Sequence, residues 1–362
     1  MSYTADEAAM ESPSAVTTGA TGAIGATGDT GITDAGRTLR GLAWALVSSI
    51  SFGMSGTLAK GLMVTGWSPG ATVTVRVAGA ALVMLVPALI LLRGRWWLLR
   101  RYAGLFFAYG VIAVAGTQLF YFISVQTLSV SVALLIEFLA PVLIVGWLWA
   151  RHGQRPGPIT ALGVALSMLG LALVLDLFAS RAGMRVDPVG MAWALGAAVC
   201  VSVYFVLSAR PTPELPPFVL VAGGMVVGAT ALILAGLTGL TRWTWSNAPV
   251  ELGGAVVAPW VPLAGLVLVT AVLAYATGLM GARALGPRVA SFVSLTEVLA
   301  ATIFAWLLLG ELPRVVQLVG GVAIVLGACA VKIGEVRELR SAASAASGTS
   351  AGWGGSAADS GR

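Results

Sequence analysis

Apolar runs of about twenty residues, separated by short polar breaks, recur along almost the whole chain. Ten such runs lie at 41–63, 72–92, 102–124, 130–150, 159–178, 189–209, 217–239, 261–282, 288–309 and 315–333. A soluble protein of this length would spread its hydrophobic residues with amphipathic gaps, whereas here the gaps are short and the spans nearly continuous. A helix of roughly twenty residues spans the ~30 Å hydrocarbon thickness of a bilayer. The expected fold is therefore an all-α polytopic membrane protein with ten transmembrane helices. Residues 1–36 and 335–362 stand apart from this pattern. They are rich in Gly, Ala, Ser and Thr, too small and polar to bury a core, and read as disordered tails, the second cytoplasmic. The first tail lacks the basic start and compact apolar centre of a cleaved signal, so the first span reads as an uncleaved anchor.

The spans come in two copies. "GLAWAL" at Gly41–Leu46 opens span one, and "GMAWAL" at Gly190–Leu195 opens span six. Residues 128–174 align without gaps on 285–331, an offset of 157 (285 against 128). That register sets Trp149 on Trp306, Gly153 on Gly310, Pro156 on Pro313 and Gly170 on Gly327. The expected units are 37–179 and 180–334, each of five spans. Five is odd, so the second copy enters the membrane inverted. Inverted repeats are a common architecture of secondary transporters, with sites near the midplane between halves.

These residues carry a family resemblance. The five-helix repeat, "PVLIVGWLW" ending span four and "AWLLLGELP" ending span nine resemble the EamA family of the drug/metabolite transporter superfamily. The resemblance covers roughly 41–174 and 190–331. It implies a ten-helix carrier of the bacterial inner membrane, commonly an exporter of amino acids, related metabolites or drugs. Two positions depart from the repeat: Gln154 stands where the second copy has Glu311, and Val298 where the first has Pro141.

Composition agrees with the pattern: 58% hydrophobic and 10% charged residues, with mean hydropathy +0.92. The net charge of +6 and pI near 9.8 raise the question of nucleic acid. Charge placement answers it. With the N-terminus inside, inner loops collect fourteen Lys/Arg and outer loops five, setting aside Arg76 within a span and Arg362 at the end. Excess basic charge marks the cytoplasmic face, so both termini are expected there.

Two acids fall deep within spans, Glu137 and Glu297. A charged side chain at the bilayer centre costs at least ~2.5–3.5 kcal/mol, and such residues usually face a bundle interior or watery cavity. Their alternative role is hydrogen-bonded glue between helices. Pro141 removes the amide that would bond the Glu137 carbonyl, so a helix kink is expected there. Ser291, Ser294 and Glu297 are spaced by three and share a helical face. Thr117, Tyr121 and Ser124 do the same in span three, with Gln118 beside them. Ser48, Ser51 and Ser55 line span one, Tyr275 and Thr277 fall in span eight, and Arg76 is the one deep cation. The candidate substrate- or proton-binding set is Glu137, Glu297, Ser294, Gln118, Tyr121, Arg76 and Tyr275. Gly224 with Gly228 and Gly163 with Gly170 read as helix-packing positions.

Other chemistries lack their residues. His152 is the only histidine and has no HExxH partner; no Walker motif or intramembrane aspartate pair is present. No catalytic residue, metal or cofactor is expected. The expected function is secondary-active export of a small metabolite such as an amino acid, or a drug-like compound, by alternating access, with proton coupling as an option. A passive channel or an importer is the alternative, with a membrane-embedded enzyme behind them. The expected partners are a small-molecule substrate and the lipid bilayer, with a homodimer left open and no nucleic acid.

Overall fold

A computed structural model describes residues 26–124, 127–128, 130–153, 155–175, 187–310 and 312–353. Gln154 and Glu311 lie outside the described residues. The first repeat contains α1 (Ala26–Val64), α2 (Pro69–Leu91), the short α3 (Trp97–Arg101) and α4 (Ala103–Phe107), a π segment (Ala108–Gly116), α5 (Thr117–Ser124), α6 (Val130–Glu137), α7 (Ala140–His152) and α8 (Pro158–Val174). The second contains α9 (Pro188–Ala209), α10 (Pro217–Leu237), α11 (Trp260–Val267), a π segment (Leu268–Leu273), α12 (Ala274–Ser294), α13 (Thr296–Leu309) and α14 (Val315–Trp353). Helix starts follow local chemistry. Ser68 caps α2 by accepting from the Ala71 amide, and Asp187 caps α9 by accepting from those of Val189 and Gly190. The Gly190 amide foremost, then the Thr127 hydroxyl and the Val189 amide, hold the Asp187 carboxyl below its ordinary range.

Among the described residues, eight helical stretches are long and apolar enough to cross a membrane, and α8 and α13 are shorter apolar helices. One of the eight, Trp260–Ser294, is two helices in one run. Gly286 inside it has φ 78° and ψ 165°, a conformation that glycine adopts without Cβ strain. Neighbours show that the chain reverses there. Gly41 and Gly281 bring α1 against Ala284 and Ala45, in antiparallel order. Beyond Gly286, Ser49 donates to the Val293 carbonyl and Gly53 faces Glu297 and Ala300, in parallel order.

The clearest sign of the inverted repeat is where α8 crosses α14. A Cβ on Gly163 would lie 2.7 Å from the Gly327 carbonyl oxygen, and one on Gly170 2.5 Å from that of Gly320. At the offset of the repeat Gly163 corresponds to Gly320 and Gly170 to Gly327, so each contact is the symmetry mate of the other. That reciprocity marks a pseudo-two-fold interface. Gly110 and Gly224 make a similar backbone approach, a Cβ on Gly110 falling 2.6 Å from the Gly224 carbonyl. The packing role expected for these glycines is what the geometry displays.

Both halves also break their helices at matching places. Span four parts between Glu137 and Ala140, and Pro141 sits in the first turn of α7. Span nine parts at Leu295, where Val298 replaces the proline and the helix breaks nonetheless. The two π segments end at Gly116 and Leu273, equivalent positions. Gly153 and Gly310, also equivalent, end α7 and α13 in the left-handed region, with φ of 66° and 70°.

Three features differ from the sequence expectation. A hairpin of β1 (Val250–Leu252) and β2 (Ala255–Val257) interrupts the all-α pattern, pairing Val250 with Val257 and Leu252 with Ala255. Gly253 and Gly254 make its two-residue turn at positive φ, the favoured hairpin chemistry. Span nine is no single straight helix, so Ser294 and Glu297 belong to different helices. Helix also runs into both tails, α1 starting at Ala26 and α14 ending at Trp353, as propagation from a formed helix costs little.

The surface suits lipid. Leu82, Leu162 and Val322 are 60–70% exposed, and Trp96, Trp97, Trp147, Trp149, Trp260 and Trp306 are exposed near helix ends, where interfacial tryptophans sit. This is a multi-pass membrane protein.

Candidate substrate cavity

The start of α1, the reversal at Gly286 and Glu338 of α14 lie at one face of the bundle; Lys60, the hairpin and Arg314 lie at the other. A cavity of about 1150 Å³ extends from the middle of the bundle to this second face, where exposed Lys60 and Arg314 line its mouth. At the first face the helices close. Arg288 Nη1 donates to Glu338 Oε2 at 2.7 Å, and Glu338 Oε1 accepts from the Gly157 amide at 2.8 Å and the Thr160 hydroxyl at 2.7 Å. One carboxylate thus ties the starts of α8 and span nine to α14. Nearby, Arg283 Nη2 donates to Thr212, and Arg101 pairs with Glu214 on the exposed rim at 3.2 Å.

All seven candidate binding residues line the one cavity: Arg76, Gln118, Tyr121 and Glu137 from the first repeat, Tyr275, Ser294 and Glu297 from the second. Each has a local reason for its place. Glu137 is the last residue of α6, at the helix break that Pro141 helps to make. Glu297 lies in the first turn of α13, where helix dipole and free amides favour a carboxylate. Its backbone is held against α1 at Gly53, where a Cβ would come within 2.8 Å of the Glu297 carbonyl oxygen. The two acids lie within electrostatic reach of each other, and Tyr121 within reach of Glu137. Neither belongs to an ion pair among the described residues. Arg76 is 6% exposed and donates from Nη2 to the Thr270 carbonyl at 2.6 Å, inside the second π segment. Its guanidinium also lies over the Phe52 ring, 5.6 Å from the centroid.

Not every polar stripe faces the cavity. Ser291 is fully buried and donates to the Arg288 carbonyl; Ser124 donates to that of Tyr121 and Thr277 to that of Leu273. Hydroxyls commonly bond their own helix in this way. Ser51 is buried outside the cavity lining, whereas Ser48 and Ser55 line it. Sequence reasoning missed two residues. Tyr204 of α9 forms the cavity floor with Tyr275, the rings 5.7 Å apart and nearly perpendicular. Its signal was a lone hydroxyl-bearing aromatic in mid-span. Glu338 had none, since it fell in a stretch read as tail.

Below Tyr204 the polar groups are buried and incompletely bonded. The hydroxyls of Tyr204, Tyr109 and Ser208 lie within reach of one another without forming a well-shaped hydrogen bond among the described residues, and Nε of Arg283 has no partner among them. Such groups cost free energy when sealed from water. They lie between the cavity floor and the closed face, where an opening of the helices would wet them.

Three comparisons place this geometry among known proteins. The profile of the EamA-like transporter family matches residues 39–176 and 188–332. Threonine/homoserine exporter RhtA of Salmonella typhimurium strain SL1344 is 28% identical over 222 residues, 60% of this chain and 68% of the relative. The same exporter of Escherichia coli K12 is 28% identical over 223 residues, 60% and 70% of the two chains. The uncharacterized inner membrane transporter YicL of Salmonella typhimurium strain LT2 is 21% identical over 278 residues, 76% and 89% of the two. A solved crystal structure superposes with TM-score 0.62 at 23% identity over 83% of this chain and 97% of its own, a likeness of fold.

Proposed function

We propose a function from one premise: the chain belongs to the EamA-like transporter family. Its reported relatives are bacterial transporters, not enzymes, and the RhtA proteins among them are exporters. We infer that it is a secondary-active exporter of a small metabolite such as an amino acid, or of a drug-like compound, working by alternating access. The observation that carries this reading is a cavity lined by ionisable groups from both repeats, open to one face and closed at the other. A carrier needs such a site between two gates; a channel would need both ends open together. In this reading ten spans cross the membrane: the run Trp260–Ser294 contributes two crossings split at Gly286, α13 completing the second, and α8 supplies another. Both termini are cytoplasmic in this reading, because basic residues crowd the face at which α1 enters and α14 leaves the bundle. The cavity is then open to the outside, and the Arg288–Glu338 pair closes the cytoplasmic gate.

Counterflow tests the carrier. Proteoliposomes preloaded with unlabelled L-threonine should transiently accumulate external labelled L-threonine above equilibrium, and a panel of amino acids and efflux drugs should extend the test. Equilibration without overshoot for every substrate that moves would indicate a channel. Orientation has its own check. Single cysteines in the 61–70 loop should react with an impermeant maleimide on intact cells, and those in 93–101 only after permeabilisation. The reverse labelling would invert the topology.

A further inference from the structure

Among the described residues, Arg76 is the one buried cation that lines the cavity, and its bonding is unfinished. Of five guanidinium N–H donors, one reaches the Thr270 carbonyl, and Nε is buried without a partner. No ion pair among the described residues includes it, although Glu297 and Tyr275 lie within electrostatic reach. A structural pair between Arg76 and Glu297 would close to contact, because a desolvated guanidinium gains most from a bidentate carboxylate. Here cation and acid stand apart across the same cavity. The Phe52 ring at 5.6 Å and the Thr270 carbonyl at 2.6 Å fix the guanidinium from other sides. Glu137 adds a second acid, so this deep site holds two carboxyl groups and one guanidinium.

We propose that Arg76 is the carboxylate-binding pole of the cavity and Glu297 its ammonium-binding pole, so that the site selects zwitterions of the α-amino-acid type over amines and apolar drugs. The proposal rests on the carrier reading for its setting and narrows the substrate class. A zwitterion supplies what the site lacks. Its carboxylate completes the Arg76 fork, and its ammonium sits against Glu297. One excess negative group, Glu137, remains to take a proton or a second donor. A bare amine would leave the guanidinium uncompensated and repelled; a bare carboxylic acid would leave Glu297 facing an anion.

Binding to the detergent-purified full chain tests this without any transport step. The probes are the neutral α-amino acids, L-threonine first, with L-threoninol, which lacks the carboxylate, and N-acetyl-L-threonine, which lacks the ammonium. Wild type should bind at least one amino acid, and the corresponding amino alcohol and N-acetyl derivative roughly tenfold to a hundredfold more weakly, as expected for loss of one charged hydrogen-bonded contact. Arg76→Gln should weaken the amino acid by a similar factor while leaving the amino alcohol unchanged or improved, with Arg76→Lys between the two. Because the analogues are compared on wild type, the test stands even if Arg76→Gln fails to fold. Equal affinity for amino acid and amino alcohol, or no bound amino acid at all, overturns the proposal. Binding with this selectivity but without counterflow would overturn the carrier reading and leave the Arg76 assignment in place. Counterflow of an amine or apolar drug by a protein that binds no α-amino acid would do the opposite.

Discussion

Glu297→Gln reaches the membrane at wild-type abundance and loses most of its gradient-driven efflux, by about tenfold or more, whereas Glu297→Asp retains part of it. The amide keeps the size of the side chain and its capacity for hydrogen bonds, so packing of α13 against Gly53 of α1 is undisturbed. Only charge and the ability to exchange a proton are removed. A deep acid that served as interhelical glue would tolerate that change, since an amide bonds a neighbouring helix as well as a carboxyl does. An acid that binds a substrate ammonium, or alternates between charged and neutral states as the gates exchange, would not. The carboxylate also costs at least ~2.5–3.5 kcal/mol to hold at membrane depth, a cost that function must justify. Proteoliposome efflux under an imposed proton gradient, normalised to folded protein, provides the check. Transport at the wild-type rate with unchanged pH dependence would make Glu297 a structural residue.

The largest loss of folded protein is expected at a residue with no chemistry. In Gly170→Val the new Cβ would fall 2.5 Å from the Gly320 carbonyl oxygen and 2.7 Å from the Ile324 amide nitrogen. Both are backbone atoms of a helix, so relief requires α8 and α14 to separate along their length. Overpacking of this kind costs on the order of 1–3 kcal/mol, and here it also breaks the reciprocal contact at Gly163 and Gly327. Membrane helices associate through such close packing, because lipid is as apolar as leucine and supplies no hydrophobic drive between them. Monodisperse protein recovered after mild detergent extraction should fall severalfold, and its melting temperature by several degrees. Gly146→Ala is the control: a Cβ there meets nothing within 4 Å, so neither quantity should change. A Gly170→Val protein as abundant and stable as wild type would show that the two helices part without penalty.

Much of this was readable in the chain because the bilayer imposes simple rules. Span length, the polarity of the breaks and the asymmetry of arginines each answer to hydrocarbon thickness or membrane charge, so span pattern, repeat and family resemblance follow from local residues. The glycines of α8 also announced themselves, since a small residue in a span has few uses other than close approach. The deep acids and Arg76 were legible for the opposite reason: each is costly in oil. That seven such residues share one cavity was not legible, because it depends on which helices are neighbours.

The sequence by itself determined that the chain crosses a membrane repeatedly, that its halves are inverted copies and which side chains are too polar for lipid to leave idle. Tertiary structure alone decided which of them meet. It set Ser294 and Glu297 on the cavity wall and left Ser291 and Ser124 off it, although Ser294 like those two donates to its own helix backbone, broke span nine without a proline, and drew Glu338 from an apparent tail onto Arg288. The physical reason is range. Hydropathy and helix propensity act within a turn or a span, whereas the cavity and the closure at Glu338 arise from contacts between segments fifty or more residues apart, as at Arg288 and Glu338 and at Gly163 and Gly327.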